Sequence, residues 1–301
     1  KFTLMIISEQ FVIEADYENS RIDRWLKNKV YKFHQSFIEK SLRSGKIKVN
    51  KKKVKSSYKL KVGDNVYINI DYEKQEENKK FSYQASLYEY KEIKNNTIFE
   101  NKDYLILNKP AGIAVQSGSK SPKNIIDILN KFSEDKKFYL VHRIDKETSG
   151  LIILACNRTF AQVLSEQFRN KVVKKNYLAI LHGCLPVNEG TLDHNLTFKD
   201  KSKVKTFKAE TDFFVLSKNK DFSYVQANPI TGRKHQLRRQ FFHINHPIVG
   251  DDKYFIPHYK NNSKFLMLHS HEVTFEYLGK NKTYKIEAPS QFKVFLKDSG
   301  L

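Results

Sequence analysis

Apolar and polar positions along the chain change rhythm several times, and each change marks an element. In RIDRWLKNKV, Ile22, Trp25, Leu26 and Val30 recur at helical spacing. The next run, SFIEKSL, predicts a second short helix, with Ser36 and Glu39 as its capping box and Gly45 as its stop. IKVNKKKVK reads as strand, turn, strand, and GDNVYINI as a turn followed by an alternating strand. These elements predict a small module over 12–70. The stretch 71–97, opening with DYEKQEENKKFSYQAS, is polar and charged and reads as a linker.

Apolar runs return near Ile98 and continue to the end, so 98–301 reads as a second, larger domain. IFENKDYLILNKPAGIAV predicts a hairpin and a Pro-Gly turn. RTFAQVLSEQF predicts a helix with Phe160, Val163, Leu164 and Phe168 on one face. NYLAILHG predicts a buried strand, KHQLRRQFFHI a helix stopped by Pro247, and VTFEYL and TYKIEA two late strands. Strands and helices mix without a βαβ rhythm, which makes the class α+β.

Composition adds a partner. The chain has 54 Lys and Arg against 33 Asp and Glu, a net charge of +21. That surplus implies a polyanion, and nucleic acid fits better than a membrane because no basic helix has a strong apolar face. No apolar run reaches transmembrane length and no signal peptide is evident, so the expected location is the cytoplasm. The sequence opens on Lys1 rather than Met, as if a few residues were missing or removed. The two cysteines, Cys156 and Cys184, are too few for a disulfide framework and read as core thiols in a reducing compartment. A monomer is the default expectation.

Part of the charge is concentrated. RSGKIKVNKKKVKSSYKLK carries Arg43, Lys46, Lys48, Lys51, Lys52, Lys53, Lys55, Lys59 and Lys61 with no acidic residue. A solvated lysine-rich surface would account for the composition. The placement on one helix end and one hairpin suits phosphate tracking.

Four further stretches carry chemistry. In VHRIDKETSGLIILA, Arg143 and Asp145 point to one side if the segment is extended, and a fixed cation favours an ionised carboxylate. Thr148, Ser149 and Gly150 read as a turn into the LIILA strand. The competing reading is a salt bridge capping that turn. In NPITGRKHQLRRQFFHINHPIVGDDKY, Arg233, His235, Gln236 and Arg238 crowd a helix start as candidate phosphate, base or carboxylate partners, with Leu237 among the apolar positions. An amphipathic helix with a wet face is the alternative. Tyr177 precedes an apolar strand and suits stacking on a base, proton transfer or simple core packing. Lys109, in NKPAG, is a phosphate candidate or part of an ordinary turn. No P-loop, GxGxxG loop or metal-ligand spacing stands out.

The early module resembles the S4 RNA-binding domain through RIDRWL, FIEKSLRSGKIKVN and the final VGD. NKPAG, HRIDKETSGLIILA, KKNYLAILHG, TGRKHQLR and HPIVGDDKY, in that order, resemble the RluA-type pseudouridine synthases over about 98–290. Ile144 stands where the family usually has Leu, and Gln240 where many members have His. The resemblance implies a catalytic domain with a mixed, mostly antiparallel sheet flanked by helices and crossed by a cleft. It implies isomerisation of uridine to pseudouridine in ribosomal RNA, 23S in a bacterium, with no cofactor and no metal. It assigns Asp145 as nucleophile, toward C6 of the uracil or C1′ of the ribose, pairs Arg238 with it, and sets Tyr177 against the base. Lys109, His142, Arg143, Arg233, His235, Gln236 and Leu237 are expected at the substrate, and Arg43, Lys46, Lys48, Lys51, Lys52 and Lys53 along the RNA. Rival readings are a non-catalytic ribosome-assembly factor, a synthase acting on tRNA, and a metal-dependent nuclease using Asp145, Asp251 and Asp252.

Overall fold

The structure is a computed structural model that describes residues 3–74, 83–118, 121–200, 203–259 and 263–301. The chain forms two compact units, Lys1–Phe81 and Ser82–Leu301.

In the first unit, β1 (Thr3–Val12), β2 (Ile47–Val49) and β3 (Asn65–Lys74) form an antiparallel sheet in the order β1-β3-β2. The helix α1 (Ile22–Trp25) runs on as a π-helical turn through Leu26–Val30, and α2 (Gln35–Ser44) follows. Ile22, Trp25, Leu26, Ile38, Leu42 and Ile47 are buried together, as the helical spacing leads one to expect. Gly45 ends α2 in the left-handed conformation, φ 84°.

Three details differ from the sequence reading. The Ser36–Glu39 capping box does not form: His34 is the N-cap without a side-chain bond, and Glu39 accepts from Gln35 Nε2 instead. The second strand of IKVNKKKVK shrinks to one bridge, Val49 to Lys52. The module also extends beyond 12–70, since β1 precedes it and β3 runs to Lys74.

The linker expected over 71–97 lies outside the described residues at 75–82. Its later part holds α3 (Leu87–Asn95), opened by a capping box between Ser86 and Glu89. Buried Ala85 and Ile93 attach this segment to the core of the second unit. Two apolar anchors in a polar stretch give too weak a period to be read as a helix.

The second unit is built on a ten-stranded sheet. Its main path is β4 (Thr97–Glu100), β5 (Tyr104–Lys109), β7 (Ser149–Ala155), β12 (Leu268–Tyr277), β8 (Lys174–His182), β11 (Phe222–Pro229), β10 (Lys203–Lys218) and β9 (Glu189–Asp200). The short β6 (Tyr139–Leu140) pairs with β7, and β13 (Lys280–Lys285) with β12. Among the described strand pairs only β7 and β12 run parallel, so the sheet is mixed and mostly antiparallel. β5 and β7 are near-continuous apolar runs because both sheet faces are covered there. Leu105, Leu107, Ile152 and Leu154 join one core, and Tyr104, Ile106, Leu151 and Ile153 the other.

The helices α4 (Ile125–Phe132), α5 (Arg158–Arg169), α6 (Gln236–His243) and α7 (Ser290–Ser299) complete the unit. On α5, Phe160 and Leu164 are buried, whereas Val163 is exposed at the edge of the apolar face. Cys156 is buried, but Cys184 is exposed in the turn after β8, which corrects its reading as a core thiol. No helix among the described residues is long and apolar enough to cross a membrane.

Candidate active site

Residues 141–148 form an irregular loop between β6 and β7, and that loop presents Asp145. Its exit is fixed by Gly150, at φ 107°, where an added Cβ would stand 2.3 Å from the Ser270 carbonyl oxygen on β12. Only glycine permits this approach of two strands. The Thr148 N–H donates to the Asp145 carbonyl at 3.2 Å, closing the turn. Lys109 braces it from beneath. Its Nζ donates to the carbonyls of Pro110, Ile113 and Lys146 at 2.8, 3.0 and 2.9 Å. Lys109 is wholly buried, and burial pulls its pKa down to about 7. This corrects its assignment to a phosphate: all three donors of an ammonium are taken inside the protein.

Asp145 lines a cleft of about 670 Å3 together with Arg143, Lys175, Tyr177, Arg233, His235 and Arg238. Its side chain is 18% exposed, so the carboxylate reaches the cleft without being free in solvent. Arg143 is exposed, and no ion pair joins it to Asp145 among the described residues. The expectation of a neighbouring cation in the same loop is therefore corrected. The groups facing the carboxylate come from α6 and the residue before it: Arg238 Nη1 at 3.7 Å from Oδ2, and His235 Nε2 at 3.8 Å from Oδ1. Burial lowers the pKa of His235, with Asp145 opposing and Arg238 adding to the depression, so the ring is neutral at pH 7.

Arg238 is anchored elsewhere. Its Nε and Nη2 grip Asp251 at 2.7 Å each, a two-pronged pair with both side chains buried. Asp251 Oδ1 also accepts the N–H groups of Lys253 and Tyr254, both at 2.9 Å. The turn depends on Gly250, φ 77°, where a Cβ would fall 1.9 Å from the Phe265 carbonyl. These bonds engage both oxygens of Asp251, and among the described residues the acidic trio of the nuclease reading forms no cluster. Asp251 was not singled out as a partner of Arg238 in the sequence. Asp251, in the GDD stretch, lies thirteen residues away along the chain, and the turn brings it back.

Two more expected contacts turn inward. Gln236 is buried. Its Nε2 donates to the Glu210 carbonyl and Thr211 Oγ1, and its Oε1 accepts from Thr231 Oγ1 and the Arg233 N–H. It locks the start of α6 onto β10 rather than facing a ligand. His142 accepts the Ile153 N–H at Nε2, 2.9 Å, and stacks on Phe168 with centroids 4.5 Å apart. Burial pushes its pKa down to about 3, so it is a neutral wall of the cleft and not an RNA cation. Leu237 is buried at the cleft lining.

Tyr177, on β8, is buried, and burial pushes its phenol up to about 12. It stays protonated at neutral pH and lines the cleft. Lys175, two residues earlier, shares its strand face, and burial pulls its pKa to about 8. Sequence reasoning missed Lys175 inside the basic run KKNY. The period-two relation to Tyr177 was the available signal. The arrangement offers a carboxylate oriented by a fixed guanidinium, beside an aromatic face, in a basic concavity. A carboxylate so placed can act as a base, a ligand or a nucleophile toward a group held in the cleft.

Residues 103–243 match the family model described as RNA pseudouridylate synthase, and 20–66 match the S4 domain. A ribosomal large subunit pseudouridine synthase C from Vibrio parahaemolyticus is 35% identical over 95% of this chain and 94% of its own. One from Buchnera aphidicola is 37% identical over 92% of each chain. Among solved structures, human RNA pseudouridylate synthase domain containing 4 superposes with a TM-score of 0.59 at 25% identity, covering 70% of this chain and 95% of that one.

Proposed function

The chain belongs to the RNA pseudouridine synthases and carries an S4 domain, and from that premise we propose that it isomerises uridines of bacterial 23S ribosomal RNA with Asp145 as nucleophile. The observation that carries this reading is the Asp145 carboxylate, which lines the cleft and is faced by Arg238 at 3.7 Å. The names of the relatives favour large-subunit rRNA over tRNA as the substrate. We place the enzyme in the cytoplasm as a monomer.

The reaction breaks the N1–C1′ bond, turns the uracil, and joins C5 to C1′; the C5 proton is lost and N1 takes one up. Substrate and product are isomers, so no oxidant or group donor is consumed. Asp145 attacks C6 of the base or C1′ of the ribose. Either covalent bond holds one fragment while the other is free, splitting one difficult step into easier ones. Arg238 cannot swing, because Asp251 holds its fork. Its remaining Nη1 keeps the carboxylate aimed into the cleft. Tyr177 supplies the wall on which the uracil lies. The target must first leave its stack, which takes a few kcal/mol. Arg143, exposed beside the nucleophile, is suited to fill the vacated space.

The test is Asp145→Asn on unmodified large-subunit rRNA. Pseudouridine, mapped by carbodiimide adducts, should disappear while RNA affinity persists. Loss of affinity in parallel would make the carboxylate structural and favour a non-catalytic binding role.

A further inference from the structure

The β9–β10 hairpin sorts its side chains by face. Its register opposes Leu192 to Thr211, His194 to Ala209, Leu196 to Phe207, and Phe198 to Lys205. Opposed residues share a face, so these eight lie on one side and none is acidic. The acidic residues Asp193 and Glu210 oppose each other on the other side. Near its base the first face is buried under α6: Gln240 donates to the carbonyls of Leu192 and Ala209, and accepts from Thr211.

Farther out, two arginines lie on the same face. The Arg233 guanidinium sits 4.9 Å from the Phe207 ring centroid, and that of Arg239 4.7 Å from the Phe198 ring. Each is also tied to the hairpin backbone, Arg233 Nε to the Lys208 carbonyl at 3.2 Å and Arg239 Nη2 to the Thr197 carbonyl at 3.0 Å. The two rings stand 6.0 Å apart. No carboxylate pairs with either arginine among the described residues, whereas Arg238 between them is held by Asp251. Arg233 also lines the Asp145 cleft, so this face continues the site outward.

Resting on the RNA-modifying reading above, we propose that this hairpin face is a seat for single-stranded RNA leading to the extruded uridine. A guanidinium laid on an aromatic ring loses little freedom when it meets a phosphate or a base plane. Ring, guanidinium and base in series form the stacking platform that unpaired strands use. A duplex keeps its bases stacked on each other and cannot use those planes. The absence of acidic residues from these eight positions, with Asp193 and Glu210 on the opposite face, matches a polyanion lying along α6.

The test uses the full chain with a fluorescent 12-nucleotide oligouridylate and a 12-base-pair RNA duplex, read by anisotropy. Arg239→Gln should weaken oligouridylate binding about fivefold or more, with little change on the duplex. Arg239→Lys keeps the charge and loses the plane. It should also weaken oligouridylate binding, without altering its salt dependence. Phe198→Leu should act like Arg239→Lys by removing the support beneath the guanidinium. Unchanged oligouridylate affinity in Arg239→Gln, or equal weakening on both probes, would overturn the seat. The functional reading fails separately, if the parent protein forms no pseudouridine in unmodified large-subunit rRNA while still binding oligouridylate.

Discussion

Arg238 gives both prongs of its fork to Asp251, at 2.7 Å each, and offers Asp145 only the remaining nitrogen at 3.7 Å. The pair that holds the arginine is thus distinct from the one that faces the cleft. Asp251 is a positioning residue, and Asp251→Asn tests this. Removing one partner of a buried ion pair costs about 3 kcal/mol, visible as a lower urea midpoint. The freed guanidinium would close on Asp145, misplacing the proposed nucleophile by about 1 Å, which costs roughly 100-fold in turnover. kcat should therefore fall while RNA affinity and KM stay near the parent values. A variant that loses stability but keeps kcat would reduce Asp251 to a structural anchor.

The difference between Asp145 and Asp251 shows what the sequence makes legible. Asp145, Tyr177 and Arg238 stand in local patterns, the structure brings all three to one cleft, and the alternating and helical runs around them gave the strands and helices. Partnerships closed by tertiary turns are another matter. Lys109 before Pro-Gly looks like a phosphate contact or part of an ordinary turn until loop closure brings three carbonyls around it. Gln236 looks like a ligand contact until β10 supplies its partners. Capping signals misled in both directions. Ser36 and Glu39 have the right spacing, but α2 starts at Gln35, while the functional box at Ser86 and Glu89 lies in a stretch too polar to suggest a helix.

His142 makes stability depend on pH. Its ring is neutral in the folded protein, with its pKa pushed by burial from 6.5 to about 3, and it accepts the Ile153 N–H. The unfolded chain binds a proton at this ring below about pH 6.5, and the folded chain does not. The contribution is therefore complete above pH 6.5 and is lost as pH falls toward 3. The loss is about 1.4 kcal/mol per pH unit in that window, or about 2 kcal/mol at pH 5. His269, pushed by burial to about 4, adds a loss of the same sign. Urea unfolding at pH 7.5, 6 and 5 should show stability falling, with a shallower slope in His142→Gln. Identical slopes in the two proteins would mean that His142 is protonated in the fold.

The lysines of the S4 hairpin should govern how RNA affinity responds to salt. Asn50 and Lys51 both adopt left-handed backbone, φ 50° and 62°, to turn the chain after β2. Asn50 pins that turn: its Nδ2 donates to Asp64 at 2.8 Å, and its Oδ1 accepts the Asn65 N–H at 2.9 Å. Lys51, Lys52 and Lys53 are exposed on a fixed turn, and none stands in a described ion pair; Arg43 and Lys46 are exposed nearby, Lys46 being 3.6 Å from Asp71. Cations held so, without internal partners, exchange counterions for phosphates on binding. Each such contact contributes about 0.7 to 0.9 to the slope of log K against log salt. Changing Lys51, Lys52 and Lys53 together to Gln leaves the Asn50 bonds and the buried core of the unit in place. The slope on unmodified large-subunit rRNA should then fall by about two, with the thermal midpoint unchanged. An unaltered slope would mean that the backbone of the RNA runs past some other face of the protein.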